Sequence, residues 1–236
     1  TTSPRFQKEA AEIALQMSQF SVDELERLLR VNAKIAVENY KRYQAFHAEA
    51  TPELPALLAY TGIVFKRLNP KDFSAEDFGY AQEHLRLTSF CYGLLRPLDV
   101  IRAYRLEGDV VLPELGNQTL FSYWRSRLTD TFIEDIRSAG GILCNLASDE
   151  MKSLFDWKRV ESEVRVVTAE FHVWKNGKRA TIVVYTKMSR GEMTRFILKN
   201  KIGDPEELKG FSWEGFEFDE SLSDEKKLVF INGMGE

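Results

Sequence analysis

Apolar residues in the first 140 positions recur three and four apart, the spacing of one helix face, and they alternate residue by residue only later in the chain. The opening predicts a helix with Ser3 as N-cap and Pro4 at its first position, followed by Phe6, Ala10, Ile13, Ala14 and Met17 on one stripe. Ser21 with Glu24 forms a capping box, and Leu25, Leu28, Leu29, Ile35 and Ala36 continue a helical stripe that bends near Asn32. Thr51-Pro52 and Pro55 break this pattern. The apolar run Leu57 to Phe65 around Gly62 is expected to be a buried strand ending at Lys66-Arg67. Ser74 and Asp77 start a helix through Phe78, Ala81 and Leu85, and a longer one is expected from about Thr119 to Ala139, closed by Gly140-Gly141.

Beyond Gly141 the period shortens. Ile142 to Ala147 suits a covered central strand, and Ser148-Asp149-Glu150 caps a helix directly after it. Val164 to Tyr185 predicts two strands around Asn176-Gly177, the pair that favours a type I′ hairpin. A helix near Ser189 to Lys201 and closing strands around Phe211 to Phe218 and Leu228 to Phe230 complete the pattern. No repeat, low-complexity tract or long linker intervenes. The expectation is a mixed α/β (α+β) fold with a mixed sheet, built as one compact domain over residues 1–236.

The stretch Leu85 to Arg105 is the chief candidate for chemistry. It reads as a helix end, a tight turn at Tyr92-Gly93 and a second short helical piece carrying Arg96, Arg102 and Arg105. That is a helix-hairpin-helix arrangement over about residues 75–104, of the kind that grips nucleic-acid backbone without reading bases. Leu85, Leu87, Leu94, Leu95, Leu98 and Ile101 suit a buried helical hairpin equally well. A second candidate lies at Asn145, Ser148 and Asp149, where a strand feeding a helix N-terminus offers backbone N–H groups to an anion.

Composition narrows the chemistry. At 44% hydrophobic the chain can bury a sizeable core, and no apolar run is long enough to span a membrane. Cys91 and Cys144 stand far apart, and His47, His84 and His172 lack ligand spacing, so no metal or cofactor is expected. The formal charge of −4 conceals an asymmetry, with eight basic residues against one acid from Lys175 to Lys201 and nine acids against three lysines from Asp204 to Lys227. One basic and one acidic face follow from that division.

Several spaced motifs occur in order: Tyr92-Gly93-Leu94-Leu95-Arg96-Pro97-Leu98-Asp99, Tyr104-Arg105-Leu106-Glu107, Asn145-Leu146-Ala147-Ser148, Arg190-Gly191 with Met193, Arg195 and Phe196, and Lys209-Gly210-Phe211 with Gly215. In these the chain resembles the bacterial YaaA family over nearly its whole length. The resemblance implies a cytoplasmic protein of the peroxide-stress response that limits iron-dependent oxidative damage and binds duplex DNA through a helix-hairpin-helix element beside a basic cleft. Carried onto this chain, the DNA-binding residues are Tyr92, Gly93, Arg96, Arg102, Arg105, Lys187, Arg190, Arg195 and Lys199. Phe90 stands where the family commonly has the first hairpin glycine, Met151 stands where it has an aromatic residue, and the family's opening Ser-Pro-Ala-Lys strand is absent, so an N-terminal strand is expected to be missing.

The leading expectation is a non-enzymatic DNA-binding protein, monomeric and not membrane-bound, taking duplex, mismatched or single-stranded DNA, with Tyr92, Tyr104, Trp124 or Trp157 available to stack on bases. The alternative is an enzyme acting on a phosphorylated or anionic small molecule where Ser148 and its helix meet Arg105, Glu107, Lys187 and Arg190. Direct iron or haem handling finds no support in the scattered histidines and cysteines.

Overall fold

A computed structural model describes residues 1–233. The elements run α1 (Gln7–Met17), α2 (Val22–Leu29), α3 (Ala33–Ala45), β1 (Glu53–Pro55), α4 (Ala56–Ala59), α5 (Ile63–Leu68), α6 (Ala75–His84), β2 (Leu87–Ser89), β3 (Gly93–Leu95) and β4 (Val100–Arg102). They continue through β5 (Val111–Leu112), β6 (Gln118–Thr119), α7 (Leu120–Ser138), β7 (Ile142–Asn145), α8 (Asp149–Lys152), α9 (Trp157–Glu163), β8 (Arg165–Lys175), β9 (Lys178–Ala180), α10 (Val183–Asn200), β10 (Phe216–Phe218) and β11 (Lys227–Asn232). The expected mixed α/β class and mixed sheet are observed. The chain divides into two compact units, one of residues 1–59, 85–132 and 149–157, the other of residues 60–84, 133–148 and 158–236.

In the first unit, local sequence explains the helices. The Ser21 Oγ accepts from the Glu24 backbone N–H, the Glu24 carboxylate accepts from the Ser21 N–H, and Asn32 caps α3 through the Ile35 N–H, so the stripe is split at Asn32 rather than bent. Ile13, Met17, Leu25, Leu29, Tyr43 and Trp124 are fully or almost fully buried. The chain start differs from expectation. Thr2 bridges to Asp99 as a strand residue and its carbonyl accepts from the Val100 N–H, so the helix begins at Gln7 and not at Pro4.

The larger correction concerns Leu85 to Arg105. No second helix follows α6 here: β2 and β3 pair antiparallel, with Thr88 opposite Leu94, and β4 pairs with β1. Leu87, Ser89 and all of Gly93–Leu95 are buried, and strands of three residues are too short to show a period of two, so their leucines imitate a helical stripe in the sequence. The helix-hairpin-helix over 75–104 is therefore one helix followed by a β-hairpin.

The second unit holds the mixed sheet, ordered β10-β11-β8-β7, with β9 also paired to β8. β7, β8 and β11 run parallel, while β9 and β10 are antiparallel to their neighbours. Val167, Ala169, Phe171 and Val173 of β8 face a core shared with Phe230, Phe211, Phe216 and Met193. On α10, Gly191 allows the backbone of α5 to come close, because a Cβ there would meet the Val64 carbonyl oxygen at 2.2 Å. Two expectations fail in this unit. The apolar run Leu57 to Phe65 is not a strand: Leu57 and Leu58 belong to helix α4 of the first unit, and in this unit Gly62 caps α5 with extended backbone, the Lys66 N–H bonding to its carbonyl. Val183 to Tyr185 open α10 instead of extending β9, since the ladder with β8 ends at Ala180 opposite Val173 and the Thr186 N–H turns back to Ile182.

Candidate functional site

Five of the nine residues expected to hold DNA (Tyr92, Gly93, Arg96, Arg102 and Arg105) lie in the first unit. Two of these belong to the core. The Phe90-Cys91-Tyr92 turn is buried, with the Trp124 indole N–H donating to the Phe90 carbonyl at 2.8 Å and the Tyr92 N–H to Ser89 Oγ at 2.8 Å. Gly93 has φ +70°, and a Cβ there would stand 2.7 Å from the Trp124 ring. The turn is glycine-dependent because an indole packs against it. Tyr92 and Gly93 present no backbone to a phosphate, and Tyr92 and Trp124 offer no stacking face.

The arginines after the turn each hold a carboxylate. Arg96 Nη2 reaches fully buried Asp99 at 2.9 Å, and the same Asp99 accepts from the Arg96 N–H and from Thr2 Oγ1. Arg102 pairs with Glu53 at 3.0 Å, donates to the Phe46 carbonyl and lies over the Phe46 ring. Arg105 is 3.4 Å from Glu107, while its carbonyl accepts from the Tyr43 hydroxyl at 2.6 Å. These contacts pin β4 and the chain beside it to the helices of the same unit.

The other four (Lys187, Arg190, Arg195 and Lys199) lie on α10 in the second unit. Arg195 grips Asp72 with both terminal nitrogens, at 2.8 and 2.6 Å, and donates to the carbonyls of Leu68 and Asn69. Lys199 and Lys201 converge on Asp77, at 2.8 and 2.5 Å. Hydrogen bonds from Lys199, Lys201 and the Ser74 N–H, in that order, hold the Asp77 carboxyl far below the ordinary carboxylate range, and Arg195 lowers Asp72. Arg195 and Lys199 thus staple α10 to the segment before α6.

The anion site expected at Asn145, Ser148 and Asp149 is spent on local structure. Asn145 is buried, its Oδ1 accepting from the Ala147 N–H at 3.2 Å and its Nδ2 donating to Thr168 Oγ1 at 3.4 Å. Asp149 is exposed and pairs with Lys152 at 2.8 Å, within a helix of four residues whose dipole is slight. Ser148 falls in the second unit and Asp149 in the first.

A cluster of cations without a carboxylate lies elsewhere. Asn176 and Gly177, at φ +53° and +68°, make the predicted tight turn, and the hairpin tip carries Lys175, Lys178 and Arg179 beside half-exposed Trp174. Lys175 stands directly opposite Lys178, and Trp174 opposite Arg179. These three cations and Lys187, near the start of α10, are exposed and make no ion pair among the described residues. A charge count over 175–201 revealed the surplus, but only the ion pairs in space identify which charges remain available. By contrast, a pocket of about 290 Å³ beside β8 and β11 is lined by Glu206, Glu220, Asp224 and Glu225 against Arg165 and Lys209, a balance that disfavours anions.

Sequence comparison places the chain in a family. A family model described as "Peroxide stress protein YaaA" matches residues 1–222. The chain belongs to the YaaA peroxide stress protein family. Its relatives include a UPF0246 protein of Bacteroides thetaiotaomicron, 98% identical over 100% of this chain and 92% of that protein. A UPF0246 protein of Bacteroides fragilis is 77% identical over the same shares, and one from Crocosphaera subtropica is 38% identical over 98% of this chain and 91% of its own length. Among the described residues no helix is long and apolar enough to cross a membrane, and no group of three or more His, Cys, Asp or Glu side chains is placed to hold a metal ion.

Proposed function

We propose that this member of the peroxide stress family binds DNA through backbone phosphates, with the β8–β9 hairpin as the principal contact. The observation that carries the reading is the exposed, carboxylate-free set Lys175, Lys178, Arg179 and Lys187 beside Trp174. Lys175 and Lys178 face each other across the turn, an arrangement that is unfavourable for the isolated hairpin and is relieved by an anion between them. A cationic ribbon with an exposed indole fits a nucleic-acid strand, because phosphates neutralise the lysines while the ring stacks on an unpaired or distorted base. Affinity from such contacts is largely independent of sequence. Binding of this kind would let the protein shield DNA during peroxide stress, when iron-dependent oxidation is most damaging.

Arg96, Arg102 and Arg105, and Arg195 and Lys199 on α10, act in this reading by holding their own units together. Their carboxylate partners already satisfy the charge that a phosphate would otherwise meet. Ultraviolet crosslinking of the protein to a thymine-rich single strand and to a gapped duplex, followed by peptide mass spectrometry, tests the assignment. Crosslinks are expected in the peptides covering Trp174 to Lys187. Crosslinks confined to Ser89 to Pro97 would overturn it.

A further inference from the structure

The sheet face opposite the core of the second unit carries an unusual row on β8. Thr168, Glu170 and His172 alternate with the core-facing Val167, Ala169, Phe171 and Val173, and only two of the five residues on this face, Val166 and Trp174, are apolar. Within this row, His172 Nε2 lies 3.0 Å from a Glu170 carboxylate oxygen, and His172 Nδ1 lies 3.0 Å from Thr181 Oγ1. Thr181 follows β9 and occupies the position across from His172, one step beyond the Val173–Ala180 pair. The partners fix the tautomer of a neutral ring: an ionised carboxylate can only accept, so Nε2 carries the hydrogen and Nδ1 accepts from the Thr181 hydroxyl.

We propose that Thr181, His172 and Glu170 form a nucleophile, base and positioning carboxylate that hydrolyse an activated carboxylic ester. Hydroxyl to imidazole to carboxylate is the geometry by which a weak alcohol nucleophile is activated, whatever the fold that carries it. Three further features surround it. Thr181 is exposed, so a substrate can reach its oxygen. It sits immediately before Ile182, the N-cap of the 18-residue helix α10, which makes no side-chain cap, so the first-turn N–H groups a few residues on are left open to an oxyanion. Val183 and Val184 in that first turn are 65% and 45% exposed, and they offer an apolar rest for an acyl group. Arg179, two positions before Thr181 on the same face, favours an ester bearing a negative charge.

The steps balance without an oxidant or a metal. Thr181 Oγ1 attacks the ester carbonyl carbon as its proton passes to His172 Nδ1, giving an oxyanion facing the N–H groups of α10. Collapse breaks the bond to the leaving alcohol, which takes the proton from His172. Water then attacks the Thr181 ester, His172 accepts its proton, and the carboxylic acid leaves as that proton returns to Thr181 Oγ1. Glu170 touches no reacting atom; it holds the ring in the required tautomer.

The test is independent of DNA binding. The full chain is treated with a fluorophosphonate probe, the modified peptide is mapped by mass spectrometry, and hydrolysis of 4-nitrophenyl acetate is followed in parallel. One adduct per chain on Thr181 is expected, together with hydrolysis that falls by about 100-fold in Thr181→Val and His172→Gln, the scale of general-base catalysis. Thr181→Ser is expected to keep both adduct and turnover, which separates lost chemistry from lost folding. Glu170→Gln is expected to lower turnover and displace the acid limb of its pH profile, an effect that a purely structural contact would not produce. Hydrolysis or labelling equal in the wild type and Thr181→Val, or an adduct on lysine or tyrosine alone, would overturn the proposal.

Discussion

Replacing Gly93 by alanine separates a turn built to fit a core from one built to receive a phosphate. The added Cβ would lie 2.7 Å and 2.9 Å from two Trp124 ring carbons and 2.9 Å from Leu128 Cδ2, well inside ordinary contact distance. Trp124 is fully buried and its N–H is held by the Phe90 carbonyl, so the ring cannot retreat without losing that bond. Overpacking of a tight core costs about 1–3 kcal/mol. The positive φ of 70° adds roughly 1–2 kcal/mol for any residue with a Cβ. Together the change should remove about 2–5 kcal/mol, a large part of the ~5–15 kcal/mol that stabilises a typical protein. Gly177→Ala is the natural control, because its φ is +68° but nothing lies within 4 Å of the new Cβ, so only the backbone cost applies. Urea unfolding followed by far-ultraviolet circular dichroism measures both. A Gly93→Ala loss no greater than that of Gly177→Ala would refute the steric argument and reopen the turn as a flexible, ligand-facing element.

Other consequences follow from the ion pairs and the thiols. Asp72 and Asp77 have carboxyls depressed by Arg195, Lys199 and Lys201, so their contribution is complete above the usual carboxylate range and is lost as pH falls towards their folded values; Asp77→Asn should lower stability at pH 7 and flatten the acid limb of the stability profile measured by thermal melting from pH 7 to pH 2. Burial pushes the Cys144 thiol up to about 12 and the Cys91 thiol higher still, so the native protein should resist iodoacetamide and hydrogen peroxide at neutral pH and react at both sites in urea, as read by mass spectrometry. Phe230→Ala, in the centre of the core of the second unit, should cost about 3–5 kcal/mol in urea unfolding.

Legibility in the sequence followed the range of the interaction responsible. The Asn176-Gly177 hairpin, the Ser21-Glu24 capping box and the strand at Ile142 could be read because turn chemistry, caps and period act over a few residues. The Leu85 to Arg105 segment misled because strands of three residues are too short to display a period. The ion pairs of the candidate site residues were hidden for a different reason. Arg195 is separated from Asp72, and Arg102 from Glu53, by long stretches of chain, so a charge that looks available along the sequence is neutralised in space. The Glu170, His172 and Thr181 cluster was within reach, since the Asn-Gly turn fixes the register and alternation places all three on one face.

The most direct measurement of phosphate binding by the hairpin is the salt dependence of duplex and gapped-DNA affinity by fluorescence anisotropy, comparing wild type with the Lys175→Glu, Lys178→Glu, Arg179→Glu triple variant and with Arg96→Ala. Four phosphate contacts predict a log–log slope of about −3 to −4 for the wild type on duplex. The triple variant should lose most of its affinity, and Arg96→Ala, provided it is folded, should retain the wild-type slope. Equal slopes for the wild type and the triple variant, or a slope lost only in Arg96→Ala, would contradict the account.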